Sequence, residues 1–201
     1  TFISVAGVAV GVMALVVVLA VMNGFEAEIH KRIIGINAHV ILLRYGAEPI
    51  TDYEELIGVV ETMPEVVAAS PFIYSKAVLK GRDASDAIVL RGVDIAREGK
   101  VTDILKNISP PVESLTTAEG EMPRLIVGDE LAKRLRIAIG DTVAISSPFD
   151  YVFTPMGLMP AVSKFEVASF FSSGMYEFDQ TLVYVDLPVA QRLSGSGQGV
   201  T

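Results

Sequence analysis

The chain has 201 residues, with 16 Lys and Arg against 24 Asp and Glu, a formal net charge of -8 and no cysteine. It is 51% hydrophobic and only 20% charged, and its mean hydropathy of +0.48 is too high for an ordinary water-soluble domain unless one block faces lipid. The acidic balance offers no basic footprint for phosphates, which argues against nucleic acid as a partner; the lack of cysteine excludes disulfide scaffolds, thiol catalysis and Cys-ligated metal sites.

The excess hydrophobicity sits at the start. From Phe2 to Met22 the only polar side chain is Ser4, and no charge precedes Glu26. At about 1.5 Å per residue this run spans roughly 31 Å, the hydrocarbon thickness of a bilayer, and predicts a transmembrane helix. A buried core helix is one alternative. A signal peptide is the other, but it would carry a basic flank, a shorter apolar core and a small-residue cleavage site, none of which is present. The run opens at the first residue without Met or a basic flank, so the chain reads as a piece whose preceding segment is missing, and charge does not set its orientation. Gly7, Gly11 and Ala14 share a face that permits close approach of another membrane helix, although small residues are common in such helices. Beyond the span, Phe25, Ile29, Ile33 and Ile34 recur at helical spacing while Glu26, Glu28, Lys31 and Arg32 take other faces, predicting an amphipathic stalk that stops at Gly35 to His39.

After the stalk, His39 to Leu43 reads as a strand. Thr51 with Glu54 predicts a capping box for a helix that presents Tyr53, Leu56, Ile57 and Val60 to the core and ends by Pro64. Strand character returns from Val66 to Lys80, with Pro71 marking a bulge or edge, and again from Asp86 to Val93. Pattern fades between Asp94 and Met122, as at a subdomain boundary or a surface excursion. A strand, a short helix capped by Asp129 with Leu131 and Leu135 on one face, a Gly140-Asp141 turn and a second strand follow. Lys164 to Phe171 and Thr181 to Val185 read as strands, and Asp186 with Pro188 opens a helix through Leu193. The order predicts an α+β protein of two small subdomains, with a tail from Ser194 that is flexible in composition.

Between Ala144 and Lys164 two strand-like runs flank a stretch with Pro148, Pro155, Gly157 and Pro160, yet also Phe149, Tyr151, Phe153, Met156, Leu158 and Met159. Such a connection is either a protein-contact loop or a segment folded back into the core. Signals of chemistry are few. His30 and His39 lack metal-ligand spacing, no nucleophile-elbow, zinc-helix or phosphate-loop motif occurs, and the acidic groups at 52–55 and 129–130 suit helix starts better than catalysis.

Three stretches carry a family resemblance: the membrane helix and stalk with Met22 to Glu26 and Ile33 to Gly35, the segment Val127 to Pro148, and Phe153 to Pro160 with Gly174 to Asp179. Together they resemble the permease subunits of the bacterial lipoprotein-releasing ABC transporter, the LolC/LolE type, and GMYEFD resembles the hybrid form that pairs with itself. The resemblance implies a noncatalytic inner-membrane permease with residues after about 36 in the periplasm and a MacB-like periplasmic core. Residues 1–36 would be membrane helix and stalk, 37–93 the first half of a lower α/β subdomain, 94–193 an upper β-rich subdomain and 194–201 a link to a missing second half. Implied partners are cytosolic ATPases that hold the ATP and Mg, a second permease subunit, membrane lipids, a triacylated lipoprotein and its periplasmic carrier, with no cofactor in this chain. A loop over 151–162 would grip the carrier through Phe153, Thr154, Pro155, Met156, Gly157, Leu158, Met159 and Pro160. Gly7, Gly11, Met22, Phe25, Ile29 and Ile33 would line a lipid-entry or subunit-contact surface. A permease exporting antibiotics, toxins or peptides, or a membrane-anchored regulator of the same superfamily, is the alternative.

Overall fold

A computed structural model describes the chain except Ala47, Ala118, Glu119, Pro155 and Met156, and describes 27–36, Thr154 and Leu158 by backbone alone. One helix, α1 (Phe2–Ile36), runs through both the predicted span and the stalk, and its apolar part, Phe2–Glu26, is long enough to cross a membrane. The stalk faces expected from Ile29, Ile33 and Ile34 lie outside the described side chains.

The remaining elements are α2 (Tyr53–Val60), β1 (Phe72–Lys80), β2 (Ser85–Val93), α3 (Ile95–Val101), a 3-10 turn (Ile104–Asn107), β3 (Ile108–Ser109), β4 (Arg124–Gly128), α4 (Asp129–Leu135), β5 (Thr142–Thr154), β6 (Gly157–Phe171), α5 (Tyr176–Asp179), β7 (Leu182–Asp186) and α6 (Leu187–Ser194). The strands form one sheet in the order β3-β6-β4-β7-β2-β1-β5, and β5 pairs back onto β6, so six strands close into a ring with β3 attached to β6. Two neighbours run parallel, β2 with β7 and β4 with β6, and the others antiparallel. The division expected at residue 93 passes through this sheet, since β2 pairs with β7 and β1 with β5. The class is α+β, with helices on a predominantly antiparallel closed sheet.

Central strands are covered on both faces, and the two-residue period of a strand sorts their side chains into two cores. Val183 and Val185 of β7 join Leu125, Val127, Leu131, Leu135, Ala190 and Leu193 on the face that carries α4 and α6. Leu182 and Tyr184, with Ile126, Val93, Ile104 and Phe171, form the second core under α3 and the 3-10 turn. A strand buried on both faces reads as a continuous apolar run, as LVYV does. Close packing fixes one glycine in particular: a Cβ on Gly92 of β2 would collide with the Cβ of fully buried Ala190 of α6.

Several expected elements differ. Residues 39–43 form no strand; their side chains from Val40 to Leu43 are exposed, and no neighbouring strand among the described residues takes up their backbone groups. The N-cap of α2 is Asp52 and not Thr51, and no side chain caps it, because Asp52 pairs with Arg44 at 3.1 Å and Glu54 with Arg97 at 3.0 Å. No residue of α2 is fully buried, and Leu56 is exposed where a core position was expected. The strand expected from Val66 begins at Phe72, just past Pro71. Gly128 caps α4, and Asp129 is its first helical residue, paired with Lys133. The excursion after Asp94 holds a true helix, α3, because the Asp94 carboxylate accepts from the amides of Ala96 and Arg97.

The tail is tied down despite its composition. Val200 exchanges two backbone hydrogen bonds with Ile50, the Thr201 amide donates to the Phe72 carbonyl, and Gln191 Nε2 donates to the Gln198 carbonyl. Gly92→Ala is expected to lower stability by about 1–3 kcal/mol, the usual cost of overpacking, and adding Ala190→Gly to recover part of it, measured by denaturant unfolding.

Candidate functional site

The ring closes where Thr142–Ser146 of β5 pairs with Val162–Glu166 of β6. On its other edge β5 pairs with β1 only as far as Ser146, opposite Val78. Beyond that point the two strands continue with no third strand beside them among the described residues, pairing Tyr151 with Pro160, Val152 with Met159, Phe153 with Leu158 and Thr154 with Gly157. The segment, for which the family resemblance implies a protruding β-hairpin loop and the residues alone also allow a return into the core, is a two-stranded ribbon running on beyond the barrel.

Side chains on a strand alternate between faces, so Tyr151, Phe153 and Pro160 stand on one side of the ribbon and Val152 with Met159 on the other. Phe153 is 92% exposed, and Tyr151, Val152 and Met159 are each about half exposed. No residue from Tyr151 to Val162 carries a charge. Gly157 takes a φ of +116°, a backbone conformation open to glycine, where the chain reverses. Of the expected contact residues, the structure brings Phe153, Gly157, Met159 and Pro160 together at the exposed end; Pro155 and Met156, and the side chains of Thr154 and Leu158, lie outside the described residues. Val152 was not singled out from sequence, although its place between Tyr151 and Phe153 in an alternating strand marks it as the opposite face.

The expected membrane surface is open in the same sense. An added Cβ at Gly7 or Gly11 meets nothing within 4 Å, and Met22 and Phe25 are exposed. The side chains of Ile29 and Ile33 lie outside the described residues.

Among the described residues, the one fully buried ion pair belongs to the barrel and not the ribbon. Arg91 of β2 contacts Glu98 of α3 at 2.7 Å, and Thr102 Oγ1 donates to Glu98 Oε1 at 3.3 Å. The guanidinium lies 5.4–5.9 Å from the ring centres of Phe72, Tyr74 and Tyr184. Burial, the largest single influence, works against the Arg91 charge, but the Glu98 carboxylate together with Tyr184 and Tyr74 outweighs it and holds the group above its ordinary value. Burial likewise pushes the Tyr184 phenol up, against the pull of Arg91. Among the described residues no group of three or more His, Cys, Asp or Glu could hold a metal ion.

Comparison with known proteins agrees with this architecture. The family model for the MacB-like periplasmic core domain matches residues 1–201. The lipoprotein-releasing system transmembrane protein LolC of Xylella fastidiosa is 33% identical over 94% of this chain and 45% of its own length. LolC of Neisseria meningitidis is 31% identical over 96% of this chain and 46% of its own. LolE of Haemophilus influenzae, from the same named system, is 29% identical over 69% of this chain and 33% of its own. The chain spans less than half the length of these relatives.

Two outcomes test the electrostatics. Glu98→Gln leaves Arg91 buried without a counter-charge and is expected to cost about 3–5 kcal/mol, whereas Arg91→Met with Glu98→Leu recovers most of the loss, read from chemical unfolding midpoints. A tyrosine raised in the folded state contributes stability that is complete below the unfolded value, about 10, and is lost as pH rises through the folded value. Tyr184→Phe should therefore flatten the decline in unfolding free energy between about pH 9 and about pH 11.

Proposed function

The chain belongs to the family of MacB-like periplasmic core domains, and from that premise we propose that it is the front part of a permease subunit of a lipoprotein-releasing ABC transporter. Similarity to LolC over nearly the whole chain carries this reading. The helix Phe2–Glu26 crosses the bacterial inner membrane and α1 continues beyond it to the periplasmic barrel. The subunit is noncatalytic. ATP and Mg bind to cytosolic ATPase partners, and a second permease subunit packs beside the first helix, where Gly7 and Gly11 leave room for close approach. The rest of the full-length permease supplies further membrane helices.

The ribbon over 151–162 receives the periplasmic lipoprotein carrier. Its apolar residues face outward on both sides, which suits insertion into a cleft better than lying against a flat surface, since either face left in water would forfeit its burial. An uncharged, apolar ribbon also suits a partner whose own cargo is acyl chains. Phe153 is the principal anchor, and Met156, Leu158 and Met159 are further apolar contacts of the carrier. Met22, Phe25, Ile29 and Ile33 are the residues we assign to the path by which a triacylated lipoprotein leaves the bilayer.

Photocrosslinking groups at Phe153 and at Val152 in the full-length complex test the assignment from opposite faces. Both are expected to capture the carrier, and Phe153→Ala to weaken carrier binding by at least about tenfold, the scale of an aromatic anchor. No capture from either position in a correctly folded complex refutes the carrier assignment and favours the antibiotic-, toxin- or peptide-export reading.

A further inference from the structure

The ribbon leaves the barrel at an irregular step. A regular ladder from Ser146 opposite Val162 to Tyr151 opposite Pro160 would place one residue across from Ala161, but β5 places the whole stretch 147–150 there. Extra residues on one strand bend it and increase its twist. At this step Ser147 turns inward, only 1% exposed, and its hydroxyl accepts a hydrogen bond from the Phe149 amide at 3.2 Å. Pro148 and Phe149 are thereby turned outward, Phe149 59% exposed, and line one groove with Ser194 and Ser196 at the end of α6. A methyl group built on Gly195 would stand 3.6 Å from both the Cβ and the carbonyl oxygen of Phe149, so the backbone of the step rests on the turn that ends α6. That seat is firm, because Leu187, Ala190 and Leu193 bury α6 in the first core.

A two-stranded ribbon has little rigidity of its own, so its direction has to be fixed at its root. We infer that the bulge at 147–150, with Phe149 as positioning residue against the α6 turn, sets the angle at which the ribbon leaves the barrel. The angle in turn fixes where the apolar tip meets its partner, a consequence that rests on the carrier reading above. Phe149 acts here without contacting the carrier.

The angle can be measured without the carrier. The 201 residues bring no cysteine, so spin labels at Val152→Cys on the ribbon and Lys106→Cys on the barrel report one distance in the full-length permease complex. Deleting Pro148, Phe149 and Asp150 leaves Ser147 opposite Ala161 in an uninterrupted ladder and is expected to move the mean of the distance distribution. Phe149→Gly, which removes the Cβ that faces the α6 turn and loosens the backbone of the step, should broaden the distribution, and Phe149→Ala, which keeps that Cβ, should restore its width. Distributions unchanged by both the deletion and Phe149→Gly overturn the inference, whatever the carrier does. A moved distribution with undiminished carrier affinity upholds the aiming role and instead overturns the carrier reading. If both hold, carrier affinity falls at least about tenfold in the deletion variant.

Discussion

The fold depends on the pairing of β5 with β6. That ladder turns an open seven-strand sheet into a ring, and closing a sheet removes the exposed edges that would otherwise recruit further strands. Both of its strands outrun the ring they close. The same hydrogen-bonded ladder therefore supplies structure at one end and an exposed surface at the other.

Closure sets requirements on the rest of the chain. Strands with both faces covered need two apolar layers, and the alternation along β4 and β7 meets them one residue at a time, Leu125 and Val127 to one side, Ile126 to the other. The second layer is thin and is covered by short pieces, α3 and the 3-10 turn. Here the chain buries an ion pair where an apolar side chain could have stood. Arg91 sits among three aromatic rings and Glu98 reaches it from α3, so the pair fixes how α3 lies on β2. Removing both charges can be nearly neutral in energy while removing one is not, so the pair contributes a defined arrangement more than net stability.

This pair also explains where the sequence could be read and where it could not. β2, β4, β7, α4 and α6 are legible because apolar residues recur at the spacing their geometry demands, and α6 announces its start with Asp186 and Pro188. The helix α3 is not, because IAREGKV turns a glutamate inward, and no pattern of apolar residues betrays a helix whose buried face includes Glu98. The tail misleads for a different reason. Its glycines and serines describe local freedom, whereas its order comes from Ile50 and Phe72, more than a hundred residues away. Val40 to Leu43 misleads in the opposite direction, with strand-like composition but no partner among the described residues. The ribbon is ambiguous in principle: large apolar residues on both faces look like a core strand, and only its position beyond the last pairing of β1 with β5 shows that water covers it.

An exposed, uncharged ribbon with apolar residues on both faces is a hazard, since its free edges could template pairing with another chain. Several features restrain that tendency. Pro148 and Pro160 remove backbone donors from the two strands, and the bulge at 147–150 interrupts the regular ladder at the root of the ribbon. The net charge of -8 keeps separate copies apart without placing any charge on the ribbon itself. Safeguards built around the apolar surface, in place of polar substitutions within it, locate the requirement on the surface. The fold would be served equally well by a short polar turn after Ser146, because every pairing that closes the barrel is complete by that residue. What lies beyond it is not needed to close the barrel.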